Sequence, residues 1–231
     1  MADRLLLLFD IDGTLLDRAT AEHAAALHEA MHQVYGVDTT STRVPAAGRT
    51  DLEIARETLL VLGLSAARIE EGFADLRAAA AEAYARLVPD DLSATVMPGM
   101  RDLLERLAAR DDAILSLVTG NLEAIARLKL NAAGLGGFFA SGQGGFGSDS
   151  VDRTDLPPIA RRRAGTRERP HPRERTLVIG DTPLDIACAR ADGLAVLALA
   201  TGPHPAADVA DADAVLTDAH ALGVELDRRL A

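Results

Sequence analysis

The chain has 231 residues and 48% of them are hydrophobic, which is typical of a globular protein with one large domain or a core domain plus a smaller one. Its formal net charge of -11 argues against binding to nucleic acid and favours a small polar or anionic substrate. A lone cysteine, Cys188, excludes an internal disulfide. No apolar run near the start is long enough for a secretory or membrane segment, so we expect a cytoplasmic protein. We expect it to be a monomer or a homodimer.

The first predicted element is a buried strand over the apolar run Leu5 to Phe9. An Ala-rich, helix-forming stretch then runs from about Ala19 to Leu87, with interruptions near Val44-Pro45 and Gly63. This stretch predicts a helical insert.

Helix and strand patterns alternate through the rest of the chain. Pro98-Gly99 marks the end of the insert, and Pro183 is suited to the first turn of a helix. The predicted elements are a helix over Met100 to Ala109 and strands over Ala113 to Val118, near Phe138 to Ala140, over Thr176 to Ile179, over Ala195 to Ala200 and over Ala214 to Leu216.

This alternation predicts an α/β fold with a doubly wound, Rossmann-like parallel sheet and helices on both faces. We assign residues 1-17 and 94-231 to this core domain and residues 18-93 to the helical insert.

Polar side chains follow three of the predicted strands. Because the carboxyl ends of parallel strands lie on one rim, we expect these groups to meet there, where open sheets bind ligands. One aspartate could attack phosphorus while another carries protons, and oxygen ligands favour Mg²⁺ over zinc. The groups are Asp10 and Asp12 after the first strand, Thr119-Gly120-Asn121 after the second, and Asp181 with Asp185 after the strand that begins at Thr176.

Two short patterns point to other functions. His28-Glu29-Ala30-Met31-His32 matches His-Glu-x-x-His, which on a helix would place two histidines on one face as in a zinc peptidase. That reading leaves the strand-end motifs unexplained. Gly142 to Gly147 matches the dinucleotide fingerprint, but no helix follows it directly, so we interpret it as a flexible loop near the active site.

The strand-end motifs resemble those of the haloacid dehalogenase-like hydrolase superfamily. Asp10-Ile-Asp12-Gly13-Thr14 looks like the first family motif, Thr119-Gly120-Asn121 the second and Gly180 to Asp185 the fourth. The similarity covers nearly the whole chain and is strongest to phosphatases of the phosphoglycolate phosphatase type. It implies a helical cap over an α/β core and Mg²⁺-dependent hydrolysis of a small phosphorylated metabolite through an aspartyl phosphate.

The resemblance also implies residue roles. Asp10 would be the nucleophile, Asp12 would start protonated and act as general acid and then base, and Thr119 would hydrogen-bond the phosphoryl group. Mg²⁺ would be held by Asp10, the main-chain carbonyl of Asp12 and Asp181, with Asp185 beside the metal site or bound through water.

The third family motif departs from the usual pattern, since its expected lysine is missing from the relevant interval. Arg153 is the candidate replacement, because a guanidinium can pair with an aspartate and a phosphate oxygen together; the alternative is a solvated arginine. Lys129, the chain's single lysine, falls within a predicted helix and is interpreted as a surface residue.

Substrate selection is expected to involve the insert. Arg49, in Gly48-Arg49-Thr50-Asp51, could meet a substrate carboxylate or phosphate, while Thr50 or Asp51 could serve as a helix N-cap. The first helix of the insert carries His23, which could line the entrance or be partly buried packing. On the core side, Gly13, Gly120 and Asn121 are expected to contact the substrate.

Two related functions stay open at this point. A phosphotransferase such as a sugar phosphomutase would use the same core groups, and a non-catalytic binder of phosphorylated ligands would explain an altered third motif. A dehalogenase is disfavoured, because the resemblance implies that dehalogenases lack an acid at the position of Asp12.

Overall fold

The computed structural model describes residues 4–17, 19–202 and 204–230. Arg18, at which the predicted insert begins, lies outside the described residues, as do residues 1–3, 203 and 231 of the predicted core.

The described strands form one six-stranded, fully parallel sheet in the order β3-β2-β1-β4-β5-β6. This is the strand order of a doubly wound sheet, so the predicted fold class is confirmed. The strands are β1 Leu5–Phe9, β2 Ala113–Thr119, β3 Gly145–Phe146, β4 Thr176–Gly180, β5 Ala195–Leu199 and β6 Ala214–Leu216.

Helices connect these strands and make up the segment between β1 and β2. None of the described helices is both long and apolar enough to cross a membrane. They are α1 Ala21–Tyr35, α2 Asp51–Val61, α3 Ala66–Glu71, α4 Phe73–Leu87, α5 Met100–Ala108, α6 Glu123–Ala132, α7 Leu156–Ala164, α8 Pro183–Ala191 and α9 Ala219–Leu230.

Strand β1 is buried on both faces, as a central parallel strand must be. Leu5, Leu7 and Phe9 pack with α5 and α9 on one face. Leu6 and Leu8 pack with α7 and α8 on the other. The apolar run therefore continues without polar alternation until the sheet ends at Asp10.

The helices α1 to α4 of the insert bury a separate apolar cluster, in which Met31, Leu52 and Tyr84 are among the larger side chains. Leu122 and Ile125, at the start of α6, belong to the same cluster. Helix α6 is therefore one part of the core on which the insert packs.

The prediction of a strand near Phe138 to Ala140 is wrong. A short 3₁₀ helix spans Gly136–Phe138, and Phe139 is buried edge-to-face against Phe9, so its apolar character reflects packing of a turn. Strand β3 lies instead within the glycine-rich segment that we interpreted as a loop. At Gly145 an added Cβ would overlap the carbonyl of Leu156, so glycine allows β3 to lie close to α7.

The sheet order reverses between β1 and β4. From β1 the chain crosses to β2 on one side, and β4 begins the other half. Such a switch point leaves a crevice beyond the carboxyl ends of the two strands. Asp10 and Asp181 are the first residues beyond those ends.

Candidate active site

The turn after β1 carries Asp10 and Asp12. The amide of Asp10 donates to the carbonyl of Ile179 at 2.8 Å, which extends the β1–β4 pairing up to the site. Gly13 follows with φ +87°, and an added Cβ would overlap the Asp181 carboxylate. A side chain at residue 13 would therefore be strained and would displace Asp181.

Strand β4 ends at the second acidic group. The hydroxyl of Thr14 donates to Asp181 Oδ1 at 2.9 Å, which fixes that carboxylate from the β1 side. Asp185 lies in the first turn of α8 and forms a reciprocal capping box with Thr182. One Asp185 oxygen is thus engaged by the helix start, and its other oxygen faces Arg153.

Asp10, Asp181 and Asp185 form a buried carboxylate cluster, with one oxygen from each within 4.8 Å of the others. Burial raises the pKa of Asp10 to about 7, against the opposing charge of Arg153. Burial, together with the neighbouring Asp10 and Asp185, raises the pKa of Asp181 to about 8. Both shifts mark a site where carboxylates are crowded without enough positive charge.

This cluster fits a divalent cation. Asp181 Oδ2 is buried and has no hydrogen-bond partner among the described residues. Carboxylate oxygens are ligands for hard cations such as Mg²⁺ and Ca²⁺, and an ion here would offset the crowded negative charge.

Arg153 lies inside the site and is 5% exposed, so the alternative of a solvated arginine is excluded. Its Nη2 contacts Asp185 and lies 3.3 Å from Asp10 Oδ1. Burial would lower the pKa of Arg153, but the two carboxylates outweigh it and hold the guanidinium charged. Nη1 donates to the carbonyl of Gly48 in the insert at 2.8 Å.

Asp12 points toward a different set of partners. Its carboxylate accepts from Asn121 Nδ2 at 2.8 Å and from Lys129 Nζ at 2.8 Å to each oxygen. Burial would raise the pKa of Asp12, but the Lys129 ammonium outweighs it and lowers the pKa. The Lys129 ammonium thus favours the carboxylate form of Asp12 in this arrangement, and the role of Asp12 as general acid and then base stays a prediction.

Lys129 is fully buried, so its interpretation as a surface residue is wrong. It lies on the buried stripe of α6 with Leu122, Ile125 and Ala126, at the i−7, i−4 and i−3 positions. Its ammonium also lies 3.1 Å from Nδ1 of His23, which is buried on α1.

The end of β2 supplies the third polar group. Thr119 is buried, and its hydroxyl accepts from Asn121 Nδ2 at 2.9 Å. Asn121 therefore connects Thr119 to Asp12. The carbonyl of Gly120 accepts from the Asp51 amide at 2.8 Å, so Gly120 contacts the insert. Direct substrate contacts of Gly13, Gly120 and Asn121 stay predictions.

The segment Gly48 to Asp51 docks on the core. Thr50 caps α2 by accepting from the Glu53 amide, which confirms the N-cap prediction, and its hydroxyl donates to the Val151 carbonyl at 2.7 Å. The Arg49 guanidinium contacts Glu57 on α2. Contact between Arg49 and a substrate therefore stays a prediction.

The His-Glu-x-x-His pattern does not form a metal site. Nδ1 of His28 lies 2.6 Å from the Thr39 hydroxyl, and Glu29 pairs with Arg86. Among the described residues, the His, Cys, Asp and Glu side chains close enough together to hold a metal ion are the three aspartates of the buried cluster.

The chain belongs to the haloacid dehalogenase-like hydrolase family, whose model matches residues 7–190. This membership supports hydrolase activity of the phosphatase kind. The comparison with curated proteins finds no match.

Several solved structures have a similar fold. A hydrolase from Pseudomonas syringae is 22% identical, with 97% of this chain and 99% of that chain covered and a TM-score of 0.61. A structure described as a predicted phosphoglycolate phosphatase from Haemophilus somnus is 18% identical, with 98% and 99% covered and a TM-score of 0.62. A β-phosphoglucomutase from Clostridium difficile is 16% identical, with 100% and 97% covered and a TM-score of 0.66. The fold thus occurs in both phosphatases and phosphotransferases.

Four buried residues of the site are missing from the sequence-derived set of catalytic, metal and substrate residues: Thr14, His23, Asp51 and Lys129. The signal for Lys129 was its place on the apolar stripe of α6, where a lone lysine must find a partner. Nothing in the local sequence of His23 or Asp51 indicates that the insert brings them to Lys129.

Proposed function

We propose that this protein is a Mg²⁺-dependent phosphomonoesterase that acts on a small phosphorylated metabolite through an aspartyl phosphate on Asp10. The observation that carries the proposal is the buried cluster of Asp10, Asp181 and Asp185, with Arg153 as counter-charge and Asp12 adjacent, at the switch point of the sheet. Membership in a hydrolase family supports the same assignment.

Asp10 is the nucleophile in this proposal. Its carboxylate attacks phosphorus, the bond from phosphorus to the ester oxygen breaks, and an alkoxide leaves. Arg153 lies 3.3 Å from Asp10 Oδ1, so a phosphoryl group received by Asp10 would lie within reach of the guanidinium. With Thr119 as a further donor, charge on the phosphoryl oxygens is stabilised by groups that are already oriented.

Asp12 handles the proton. Because Lys129 holds it as a carboxylate, the proton for the leaving alkoxide enters with the substrate. A phosphate monoester loses its second proton near pH 6, so its monoanion can pass one through Asp12 to the ester oxygen. Asp12 then accepts a proton from the water that attacks the aspartyl phosphate, and the bond between phosphorus and the Asp10 oxygen breaks. Asp12 passes this proton to the phosphate product and returns to its carboxylate form.

A metal ion would be held by the side chains of Asp10 and Asp181 and the main-chain carbonyl of Asp12, with Asp185 beside them. Magnesium, when bound there, would supply Lewis-acid stabilisation of the phosphoryl charge. Thr14 holds one Asp181 oxygen and leaves the other, which has no partner among the described residues, for the ion.

The insert, residues 18-93, serves as a cap over this site. Its contacts with the core include helix α6 and the segment Gly48 to Asp51, where the carbonyl of Gly48 accepts from Arg153. With the insert in this position Asp10 is 4% exposed, so a substrate must enter before the insert settles on the core. This arrangement favours small substrates, and Arg49 is the proposed residue for their distal charged group.

The test is phosphate release from phosphoglycolate, sugar phosphates and nucleotides, with Mg²⁺ or with chelator. Wild type and Asp10→Asn are compared side by side, and circular dichroism checks that the variant is folded. We expect release that depends on Mg²⁺ and is lost in the variant.

Activity of Asp10→Asn near the wild-type level would remove Asp10 as the nucleophile. Transfer of phosphate to a sugar acceptor with little release to water would replace the hydrolase with a phosphotransferase. Absence of both reactions would leave a protein that binds phosphorylated ligands without turning them over.

A further inference from the structure

The single lysine of the chain is placed where an unpaired charge would be most costly. Lys129 is fully buried in the middle of α6, and both oxygens of Asp12 lie 2.8 Å from its Nζ. Transfer of an ammonium out of water is strongly unfavourable unless it is paired and hydrogen-bonded. Helix α6 also has an exposed face on which a lysine could be solvated. The buried position of Lys129 therefore indicates a function for its charge next to Asp12.

The insert supplies the third partner of this ammonium. Nδ1 of His23, on α1, lies 3.1 Å from Lys129 Nζ. An ammonium can only donate, so Nδ1 accepts, and the ring proton is on Nε2. Nε2 donates to Asp51 Oδ2 at 2.9 Å. His23 therefore has a defined orientation, with one side toward Lys129 and the other toward Asp51.

Asp51 lies in the insert and contacts the core. Its Oδ2 also accepts from the amide of Leu122 at 2.7 Å, and Leu122 is the N-cap residue of the helix that carries Lys129. The connection thus runs from Asp12 to Lys129 in the core, to His23 and Asp51 in the insert, and back to α6. It crosses between insert and core twice, and movement of the insert away from the core would break both crossings.

We propose that Lys129 is a positioning residue for Asp12, and that His23 and Asp51 hold Lys129 in place while the insert rests on the core. The inference rests on the proposed function, since it concerns the alignment of that reaction's proton-transfer group. Asp12 is then aligned only after the insert has settled. The contacts from Asp12 through Lys129 and His23 to Asp51 thus couple closure of the site to the start of proton transfer.

Substrates with different leaving groups separate this role from a structural one. An alkoxide needs a proton when it leaves, whereas p-nitrophenolate does not. In Lys129→Met we expect kcat on an alkyl phosphate to fall on the order of 10²-fold. The first equivalent of nitrophenolate from p-nitrophenyl phosphate should form at a rate within roughly tenfold of wild type, followed by slow turnover, because the attack on the aspartyl phosphate still needs Asp12 as a base.

Two further variants complete the comparison. His23→Phe keeps a ring of similar size beside Tyr84 but removes the acceptor for Lys129, and its kcat should fall about tenfold while KM stays within about twofold. His32→Phe makes the same substitution at an exposed position of α1 and should behave as wild type. Asp12 keeps 24% of its side chain exposed, so it can be hydrated when Lys129 is replaced and the Met variant is expected to fold.

Hydrogen exchange tests the connection without any turnover. The amides of Asp51 and Leu122 bridge insert and core, and in His23→Phe they should exchange at least about tenfold faster than in wild type while strand amides stay unchanged. Equal exchange in the two proteins would overturn the role of the insert.

An equal loss in Lys129→Met of kcat on the alkyl phosphate and of the rate of the first nitrophenolate equivalent, or no loss in either rate, would overturn the positioning role. If wild type turns over no phosphomonoester, the proposed function itself fails and the positioning role fails with it. If wild type is active and the variants match it, only the present inference fails.

Discussion

Replacement of Arg153 by alanine removes the positive charge that faces the carboxylate cluster. Arg153 Nη2 lies 3.3 Å from Asp10 Oδ1 and contacts Asp185, and the side chain is almost fully buried. Among the described residues, Arg153 is the cation that lies next to Asp10. The variant should therefore lose both stabilisation of the phosphoryl group and compensation of the buried carboxylates.

The size of the loss follows from this geometry. A phosphoryl oxygen that carried a unit charge at a similar distance of 3.3 Å from Nη2 would be attracted by about 5 kcal/mol at an effective dielectric constant of about 20. Water that enters the vacated space returns part of this energy. A net loss of about 3 to 4 kcal/mol corresponds to a fall in kcat on the order of 10²- to 10³-fold, the range found when one preorganised donor is removed from an enzyme.

The assay is steady-state phosphate release at saturating Mg²⁺, with Arg162→Ala as the matched control because Arg162 is exposed on α7. Arg153→Lys keeps the charge, but a lysine cannot reproduce the fork that contacts Asp185 and the Gly48 carbonyl together, so we expect an intermediate rate. A rate for Arg153→Ala within about threefold of wild type would refute the reasoning, since a charge this close cannot be removed without effect.

Three further predictions concern the metal site. In metal-free buffer the raised pKa values of Asp10 and Asp181, about 7 and about 8, mean that the folded protein keeps protons that the unfolded chain releases. The free energy of unfolding should therefore fall as pH rises from about 4 to about 8. Added Mg²⁺ should raise Tm more at about pH 8 than at about pH 5, because it competes with these protons. Equal shifts in Tm at the two pH values would contradict the assignment of Asp10 and Asp181 as metal ligands. Gly13→Ala should lower both Tm and Mg²⁺ affinity because its Cβ overlaps the Asp181 carboxylate, whereas Gly63→Ala, with a similar φ of +84° and open space around it, should lower Tm alone; calorimetric titration distinguishes the two. Thr14→Val removes the hydroxyl that holds Asp181 Oδ1 and should weaken Mg²⁺ binding about 10- to 100-fold, and unchanged affinity would show that Thr14 does not orient this ligand.

The sheet and the carboxylate cluster were accessible from the sequence because each depends on short local patterns. Leu5 to Phe9 is apolar without interruption because β1 is covered on both faces, and this pattern stops at the residue where the site begins. Strand-end position then brings Asp10 and Asp181 together through the parallel pairing of β1 with β4. Arg153 could be placed in the site from its position in the motif order.

The contacts of Lys129 with Asp12 and His23 could not be predicted from the sequence in this way. They depend on how the insert lies on α6, and that arrangement is a property of the whole apolar cluster of α1 to α4. Composition also misled the assignment, since an isolated lysine in a helix is usually solvated. The interpretation of the β3 segment as a loop failed for a similar reason. Gly145 lies in this strand because it has no side chain and so allows close packing against α7, which strand propensity does not predict.

The burial of the only lysine gives this protein a built-in chemical reporter. Amine-reactive reagents modify lysine side chains that reach solvent, and Lys129 does not while the insert rests on α6. If the insert opens as proposed, the rate at which such a reagent modifies Lys129 measures how often it does so. Ligands that favour the closed form should slow this labelling, so a panel of phosphorylated compounds can be ranked by mass spectrometry before any of them is known to be turned over.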